Sequence, residues 1–167
     1  MTNPPNEVRA TSSSAPLDRI DLLLLGALQK NARASNKELA DLVGLAPSTC
    51  LERLRRLRSR GVLRGFHADV DLGALDRRTQ AMIAVRLAVH SRAEIDSFYD
   101  HVLALPEALA AFHVSGADDY LIHVAVRDTE RLRRLVLELT SRTEVQHVET
   151  HLVFDHVRKT IVEPLVD

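Results

Sequence analysis

The chain has 167 residues, of which 46% are hydrophobic and 27% charged, an ordinary composition for a globular protein of one compact domain or two small ones. No apolar run approaches the roughly 18 residues of a membrane-spanning helix, and the N-terminal stretch lacks the basic and apolar regions of a secretory signal. The single cysteine, Cys50, excludes an internal disulfide framework and suits a reducing compartment. We therefore expect a cytoplasmic protein that keeps Cys50 in its core.

Charge is unevenly distributed along the chain. The formal net charge is −1, yet residues 1–65 carry 11 Lys/Arg against 6 Asp/Glu, and residues 66–167 carry 11 against 17. Halves of opposite sign indicate two units with different partners. The positive half is the one expected to meet a polyanion.

The N-terminal half predicts three short helices. Residues 1–16 are rich in Pro, Ser, Thr and Asn and are expected to form a disordered arm. Asp18 opens the first helix, in which one face carries Ile20, Leu23, Leu24, Ala27 and Leu28.

A tight turn joins the second helix to the third. Ser35 and Glu38 form a capping box at the start of the second helix, which places Leu39, Ala40 and Val43 inward. Gly44 stands where a C-terminal glycine belongs. Pro47 suits the first position of the third helix, although Ala46 before it is a weak N-cap that costs about 1 kcal/mol. These signals predict a helix-turn-helix motif.

From Thr79 the hydrophobic period becomes that of alternating strands and helices. Strands are predicted around Ile83, Val85, Leu87 and Val89, around Ala110, Phe112 and Val114, around Tyr120, Ile122, Val124 and Val126, and around Val148, Leu152 and Phe154. Helices are predicted around Ile95, Phe98, Tyr99, Val102 and Leu103, and around Leu132, Leu135, Val136 and Leu139. The order βαββαβ predicts an α+β, ferredoxin-like sandwich, in which both helices cover one face of an antiparallel sheet.

These elements divide the chain into successive parts. Residues 17–70 form the predicted helix-turn-helix domain, in which residues 62–71 are expected to make a small β-wing. Residues 71–78 form a linker, residues 79–160 the ferredoxin-like domain, and residues 161–167 a C-terminal tail.

The third helix combines a leucine stripe with a basic face. At about 100° per residue, the predicted buried stripe holds Cys50, Leu51, Leu54 and Leu57. The opposite face holds Ser48, Thr49, Glu52, Arg53 and Arg56, with Arg60 one turn further on. Polar and arginine side chains in the first turns are typical of a recognition helix in the DNA major groove.

Side-chain chemistry suggests a role for each of these residues. Arg53 and Arg56 can fork onto guanine, and Glu52 can accept from a cytosine amine. Ser48 and Thr49 can bond bases or phosphates. Phosphates alone are expected to be contacted by Arg55, Arg58 and Arg64. Alternatives for such a helix are a solvated charged face or an acidic membrane surface, but the leucines are needed to close the three-helix core.

Three stretches carry a family resemblance: LDRIDLLLLGALQKNAR, SNKELADLVGLAPSTCLERLRRLRSRGVLRGF and HVSGADDYLIHVAV. They are similar to the leucine-responsive/AsnC family of transcription regulators, from about Leu17 to Thr160. The resemblance implies a DNA-binding domain joined to a ligand-responsive domain that builds dimers and, commonly, octamers. It also implies that an amino acid binds between neighbouring subunits. The family commonly has serine where this chain has Ala46.

The resemblance further implies where the effector binds. The effector loop falls on Gly116, Asp118, Asp119 and Tyr120, and effector-responsive strand positions fall on His113, His151 and Leu152. Backbone N–H groups of a glycine loop can receive an α-carboxylate, and an acid can hold an α-ammonium, although a plain β-turn explains the same loop. Because His113 and His151 stand where apolar residues are often found, we hypothesise a pocket suited to a polar or aromatic amino acid.

Half of the eight histidines are predicted on the sheet face away from the helices. If Phe112, Val114, Ile122, Val124, Leu152 and Phe154 face the helices, the other face shows His113, His123, His147 and His151, with Arg86 and Glu149. A polar dimer interface that responds to pH is one interpretation. A metal site is another, although no pair has a short ligand motif and the second and fourth strands belong at opposite edges. We assign no metal.

Together these patterns predict a regulator that binds double-stranded DNA in a sequence-specific way and responds to a small effector, most simply an amino acid. No nucleophile elbow, phosphate loop, dinucleotide fingerprint or HExxH motif supports an enzyme, and no cofactor or membrane partner is expected. Two alternatives stay open at this point: an architectural DNA-binding protein that senses nothing, and a small ferredoxin-like enzyme with a basic appendage.

Overall fold

A computed structural model describes residues 16–88 and 91–165 of the chain. The predicted arm, apart from Pro16, lies outside the described residues, as do Val89 and the last two residues of the predicted tail. No helix of the described part combines the length and the apolar character needed to cross a membrane.

The described residues form two compact units, and the chain passes between them twice. One unit contains residues 16–68 together with residues 157–165, and the other lies within residues 69–156. We call them the N-terminal unit and the sheet unit. The domain limits predicted at residues 70, 78 and 160 stay predictions.

Three helices make the N-terminal unit: α1 (Arg19–Lys30), α2 (Asn36–Val43) and α3 (Pro47–Ser59). Asp18 caps α1 by accepting from the backbone N–H of Asp21 at 2.8 Å. The predicted capping box of α2 is present, with Ser35 and Glu38 each bonded to the other's backbone N–H. Ala46 makes no side-chain cap bond at the start of α3. The sequence therefore located all three helix starts correctly.

Glycine ends α2 and α3 in the same way. Gly44 and Gly61 adopt the left-handed conformation, with φ of 67° and 69°. The residue after each glycine donates its N–H to the carbonyl five positions back, Leu45 to Ala40 and Val62 to Leu57, both at 3.0 Å. This is the Schellman motif, which a residue with a β-carbon enters only with strain.

The predicted β-wing is wrong. Residues 62–71 contain no strand. The first two of them complete the end of α3, since Val62 and Leu63 both donate their N–H groups to the carbonyl of Leu57. The rest have no regular secondary structure and lead into turns at residues 72–76, so no pair of strands is formed.

The core of the N-terminal unit contains Leu24, Leu28, Leu39, Ala40 and Cys50. Leu57 is also fully buried, but two residues of the predicted stripes are not: Leu23 is about half exposed and Leu51 is 39% exposed. On α3 the inward side is therefore shifted away from Leu51 and toward Arg53, which is bonded to two carboxylates of the α1 region. One flank of the inward side of α3 is thus an ion pair, and Leu51, on the other flank, is left partly exposed.

The C-terminal segment completes this unit by pairing with a side chain of α1. The Gln29 amide donates to the Val162 carbonyl at 3.1 Å and accepts from the Val162 N–H at 2.7 Å. The side-chain amide of Gln29 thus pairs with both backbone groups of Val162, as the backbone of a neighbouring β-strand would. The C-terminal segment is thus held beside α1 at Val162.

The sheet unit has the predicted βαββαβ order. Its elements are β1 (Thr79–Leu87), α4 (Arg92–Ala104), β2 (Ala108–His113), β3 (Tyr120–Val126), α5 (Thr129–Thr140) and β4 (Val145–Val153). The sheet is antiparallel with strand order β2-β3-β1-β4. The ferredoxin-like fold is confirmed, and so is the placement of β2 and β4 at opposite edges.

One face of the sheet packs on both helices. The buried core there includes Ile83, Val85, Tyr120, Ile122 and Val124 from the strands, and Phe98, Val102, Leu132, Leu135 and Leu139 from the helices. Leu103 of α4 is half exposed, contrary to the predicted helix face, and Phe154 lies beyond β4 and is exposed.

The predicted phase of β2 is also wrong. Residues directly opposite on antiparallel strands share a face. Ala111 pairs with the buried Ile122, whereas Phe112 pairs with Leu121, so Phe112 points to the face without helices and is 50% exposed. A register shift between Ala108 and Ala110 causes the difference, because a bulge changes which residues share a face.

Candidate DNA-binding face and effector loop

The outward side of α3 is polar and positively charged. Its exposed residues are Ser48, Thr49, Glu52, Arg55, Arg56 and Ser59. Several of them surround a shallow concavity along the helix. Ser48, Glu52, Arg55 and Ser59 recur at spacings of three and four, and they therefore form one stripe away from the buried Cys50 and Leu57. Arg55, predicted to lie off the reading face, belongs to this stripe.

Two of the predicted base-reading arginines are already engaged inside the unit. Arg53 Nη1 donates to Asp18 Oδ2 at 2.6 Å and to Asp21 Oδ1 at 3.0 Å. Arg56 Nη2 donates to Asp21 Oδ2 at 3.2 Å. The hydrogen bonds that Arg53 donates to carboxylates, first to Asp18 and then to Asp21, raise the pKa of Arg53. The pKa of Asp18 is lowered by the Asp21 N–H and then by Arg53.

The two helices of the motif are also joined at their N-terminal ends. Asn36 Nδ2 donates to the Pro47 carbonyl at 2.8 Å. This bond runs from the first residue of α2 to the first residue of α3 and fixes where α3 begins. Sequence reasoning missed Asn36 and Asp21, because each acts through a partner 11 or more positions away along the chain.

The end of α3 is positioned by an aromatic contact. The Arg58 guanidinium lies 5.3 Å from the centre of the Phe66 ring, within the range of a cation–π interaction. Arg60 is half-buried and Arg64 is exposed, and both follow the reading stripe toward the exit from the helix. A cluster of basic side chains therefore continues beyond the helix itself.

The predicted effector loop is tied to the end of β1. Gly116 has a φ of 126°, which few residues other than glycine adopt. Asp119 accepts from the Leu87 N–H through Oδ2 at 2.7 Å and donates its own N–H to the Val85 carbonyl at 2.9 Å. Arg86 Nε donates to the Ala117 carbonyl. These bonds hold the loop against the end of β1.

Tyr120 lies beneath this loop rather than on its surface. It is 1% exposed, and its hydroxyl donates to the Ile95 carbonyl at 3.3 Å. Burial raises the pKa of this hydroxyl. The exposed His113 ring stacks on Tyr120 with 5.0 Å between centres. His113 therefore shares the helix-covered face of the sheet with Tyr120, and its predicted place on the opposite face is wrong.

The other two predicted effector residues lie across the sheet. His151 and Leu152 belong to β4, which forms the edge opposite β2 and its His113. Three strand spacings of about 4.8 Å separate the two edges, roughly 14 Å in all. One subunit therefore places His113 beside the loop, and it places His151 and Leu152 at the far edge, where their side chains point to opposite faces of the sheet. It does not bring the two groups together.

The remaining predicted histidines do lie on the face without helices. The register aligns His123 and His151 with Met82, and it aligns His147 with Arg86 and Glu149 with Ala84. His123 is bonded to Gln80 at 3.0 Å, and its pKa is lowered by burial and then by His156. The described residues contain no group of three or more potential metal ligands.

Comparison with known proteins agrees with a two-domain regulator. A model of the AsnC-type helix-turn-helix domain matches residues 17–58, and a model of the Lrp/AsnC ligand binding domain matches residues 80–162. The HTH-type transcriptional regulator AldR of Mycolicibacterium smegmatis is 44% identical over 155 residues, which cover 92% of this chain and 88% of that protein. The leucine-responsive regulatory protein of Escherichia coli is 35% identical over 145 residues, which cover 86% and 88%.

A solved structure gives the same result. A transcriptional regulator of Neisseria meningitidis, determined in complex with L-Met, superposes with a TM-score of 0.80 at 31% identity, over 89% of this chain and 97% of that one. A basic helix-turn-helix unit followed by a ferredoxin-like unit defines a class of transcription regulators. This chain belongs to one family of that class, the Lrp/AsnC family.

Proposed function

We propose that this chain is a sequence-specific DNA-binding transcription regulator whose assembly or DNA affinity changes when it binds an amino acid. The observation that carries the proposal is the exposed stripe of α3, where Ser48, Glu52 and Arg55 face outward from the second helix of the helix-turn-helix. Such a stripe presents donors, an acceptor and a cation to base edges. In a cytoplasmic dimer, two copies would meet half-sites one helical turn apart, or a multiple of it.

The proposed DNA contacts fall into two groups. Ser48, Thr49, Glu52, Arg55 and Arg56 face the bases or the adjacent phosphates. Arg60 and Arg64, nearer the exit from the helix, contact phosphates only. The first group supplies discrimination and the second supplies affinity that salt weakens.

Replacing Arg55 by alanine is expected to weaken binding to a preferred duplex by about 10- to 100-fold, the range for the loss of one good base contact. The duplex would be obtained by in vitro selection with the wild-type protein, and affinity measured by fluorescence anisotropy. Arg133→Ala is the matched control, since Arg133 is an exposed arginine of the sheet unit paired with Glu130. Equal effects of the two variants would contradict a reading role for α3.

The effector site is proposed to lie between subunits. In support, the predicted residues divide into a loop group, His113, Gly116 and Asp118, and an edge group, His151 and Leu152, about three strands apart. Asp119 ties the loop to β1, and the buried Tyr120 is bonded to α4 through its hydroxyl. The L-Met complex of the Neisseria regulator supports an amino acid as the ligand. Assembly into dimers, and further into octamers, would bring a loop group to an edge group.

A thermal-shift panel of the twenty amino acids tests the sensing role. We expect at least one to raise the melting temperature, because a ligand that binds the folded state stabilises it by mass action, and we expect polar or aromatic amino acids among them. The mass of the protein by size-exclusion chromatography would be followed with each hit. A panel in which only aliphatic amino acids act would contradict the role of the histidines. A panel without any hit would favour an architectural protein that senses nothing.

A further inference from the structure

Asp21 is the one charged residue in the buried set of the described structure, with 1% exposure. It lies in the first turn of α1, and it faces α3 rather than solvent. A carboxylate in such a place is retained only with compensating charge and hydrogen bonds. The groups that bond to Asp21 are therefore needed for the N-terminal unit to keep this carboxylate buried.

Those partners are two arginines of the recognition helix. Asp21 Oδ1 accepts from Arg53 Nη1 at 3.0 Å and from Arg56 Nη2 at 3.3 Å, and Oδ2 accepts from Arg56 Nη2 at 3.2 Å. Asp18 holds Arg53 from the other side at 2.6 Å. Arg53 and Arg56 are three positions apart, so they project from neighbouring turns of one helix face. The two carboxylates and the two guanidinium groups thus neutralise each other within the N-terminal unit.

The two arginines differ in how much of each side chain is exposed and could contact DNA. The Arg53 side chain is 23% exposed, whereas that of Arg56 is 50% exposed. Arg53 is thus enclosed between two acids, and Arg56 is shared between Asp21 and solvent. The rotation of α3 is fixed by the same contacts, which turn Arg53 inward and leave Ser48, Glu52 and Arg55 outward.

We propose that Asp21 determines the DNA specificity of this regulator by withdrawing Arg53 from the DNA surface and restraining Arg56, so that the outward stripe reads the sequence. This inference rests on the proposed DNA-binding function. Arg53 is then a positioning residue, and it does not fork onto guanine. An unrestrained arginine on a recognition helix adds attraction to any phosphate, which strengthens binding to a scrambled duplex. The selected duplex does not gain to the same extent, because α3 is then no longer held in the orientation that lets the outward stripe read the bases.

The first test is Asp21→Asn, which keeps the shape of the side chain and removes its charge. Probes are the duplex selected by the wild-type protein and a scrambled duplex of the same composition. We expect tighter binding to the scrambled duplex, a salt dependence steeper by about 0.9 for each arginine that turns to a phosphate, and a selected-to-scrambled affinity ratio at least tenfold lower. Loss of affinity for both duplexes in equal proportion would overturn the proposal, because that is what simple destabilisation produces.

The second test does not depend on how well the first variant folds. Arg53→Gln removes the enclosed cation, and Arg55→Gln removes the outward one with the same change of side chain. If Arg53 only positions the helix, Arg53→Gln lowers the affinity ratio without changing the salt slope. Arg55→Gln lowers the ratio and also reduces the slope, because in the proposed complex the outward guanidinium neutralises an adjacent phosphate. Equal reductions of the slope by the two variants would overturn the proposal, since Arg53 would then contact DNA.

The proposed DNA-binding function and the proposed role of Asp21 can be contradicted by different results. If the wild-type protein selects no duplex over the scrambled one, the proposed function fails. If it selects one and Asp21→Asn keeps the same affinity ratio, only the role of Asp21 fails.

Discussion

Replacing Leu57 by alanine is expected to lower the free energy of unfolding of the N-terminal unit by about 2–5 kcal/mol, the usual cost of a cavity left by a buried leucine. Leu57 is fully buried on the inner side of α3. Its carbonyl also accepts the two N–H groups that end the helix, but the substitution leaves that backbone contact in place. The measurement is urea unfolding followed by helical circular dichroism, with DNA affinity measured on the same samples.

Leu51→Ala is the matched control for this experiment. It makes the same change on the same helix at a side chain that is 39% exposed, so the expected loss is below about 1 kcal/mol. The hydrophobic pattern alone predicts equal burial of the two leucines. Equal losses would therefore show that α3 packs as the sequence pattern predicts, and that Arg53 does not occupy the inner side.

Two effector-site variants that are inactive alone are expected to restore binding when their subunits are mixed. Asp118→Ala damages the loop group, and Leu152→Ala damages the edge group on β4. If each site combines the loop of one subunit with the edge of its neighbour, a mixed pair contains one intact site and one doubly damaged site. At equal proportions with random pairing, about one quarter of all sites recover, as the symmetry of the interface requires.

The readout is isothermal titration with the amino acid that gives the largest thermal shift, after the two variants have been unfolded and refolded together. Each variant refolded alone serves as the baseline. No recovery on mixing, with both variants folded and assembled, would place the whole site within one subunit. That outcome would require the loop to reach across the sheet to β4.

Much of the fold was accessible from the sequence because its signals are local. The capping box of Ser35 and Glu38, the glycine after α2 and the alternation in β1 and β3 each depend on residues a few positions apart. Such patterns specify where an element starts, where it ends and which face is buried. The order of elements then restricted the sheet to one well-known topology.

The errors arose where distant residues decide the outcome. A bulge set by pairing with β3 reversed the phase of β2, and Phe112 became exposed while His113 joined the helix-covered face. An acid 32 positions away turned Arg53 inward, so a helical projection that treats arginine as outward placed it wrongly. The effector residues were grouped by motif position, although the predicted topology already placed β2 and β4 at opposite edges of the sheet.

The pairing of Gln29 with Val162 makes the N-terminal unit a product of both ends of the chain. In topological terms the sheet unit is an insertion, which leaves its host after residue 68 and returns to it at residue 157. A fragment cut at the linker would contain every helix of the DNA-binding motif and still lack part of its own domain. A conformational change in the sheet unit can therefore act on the DNA-binding domain through two covalent connections. One follows the recognition helix, and the other leads to the segment beside α1.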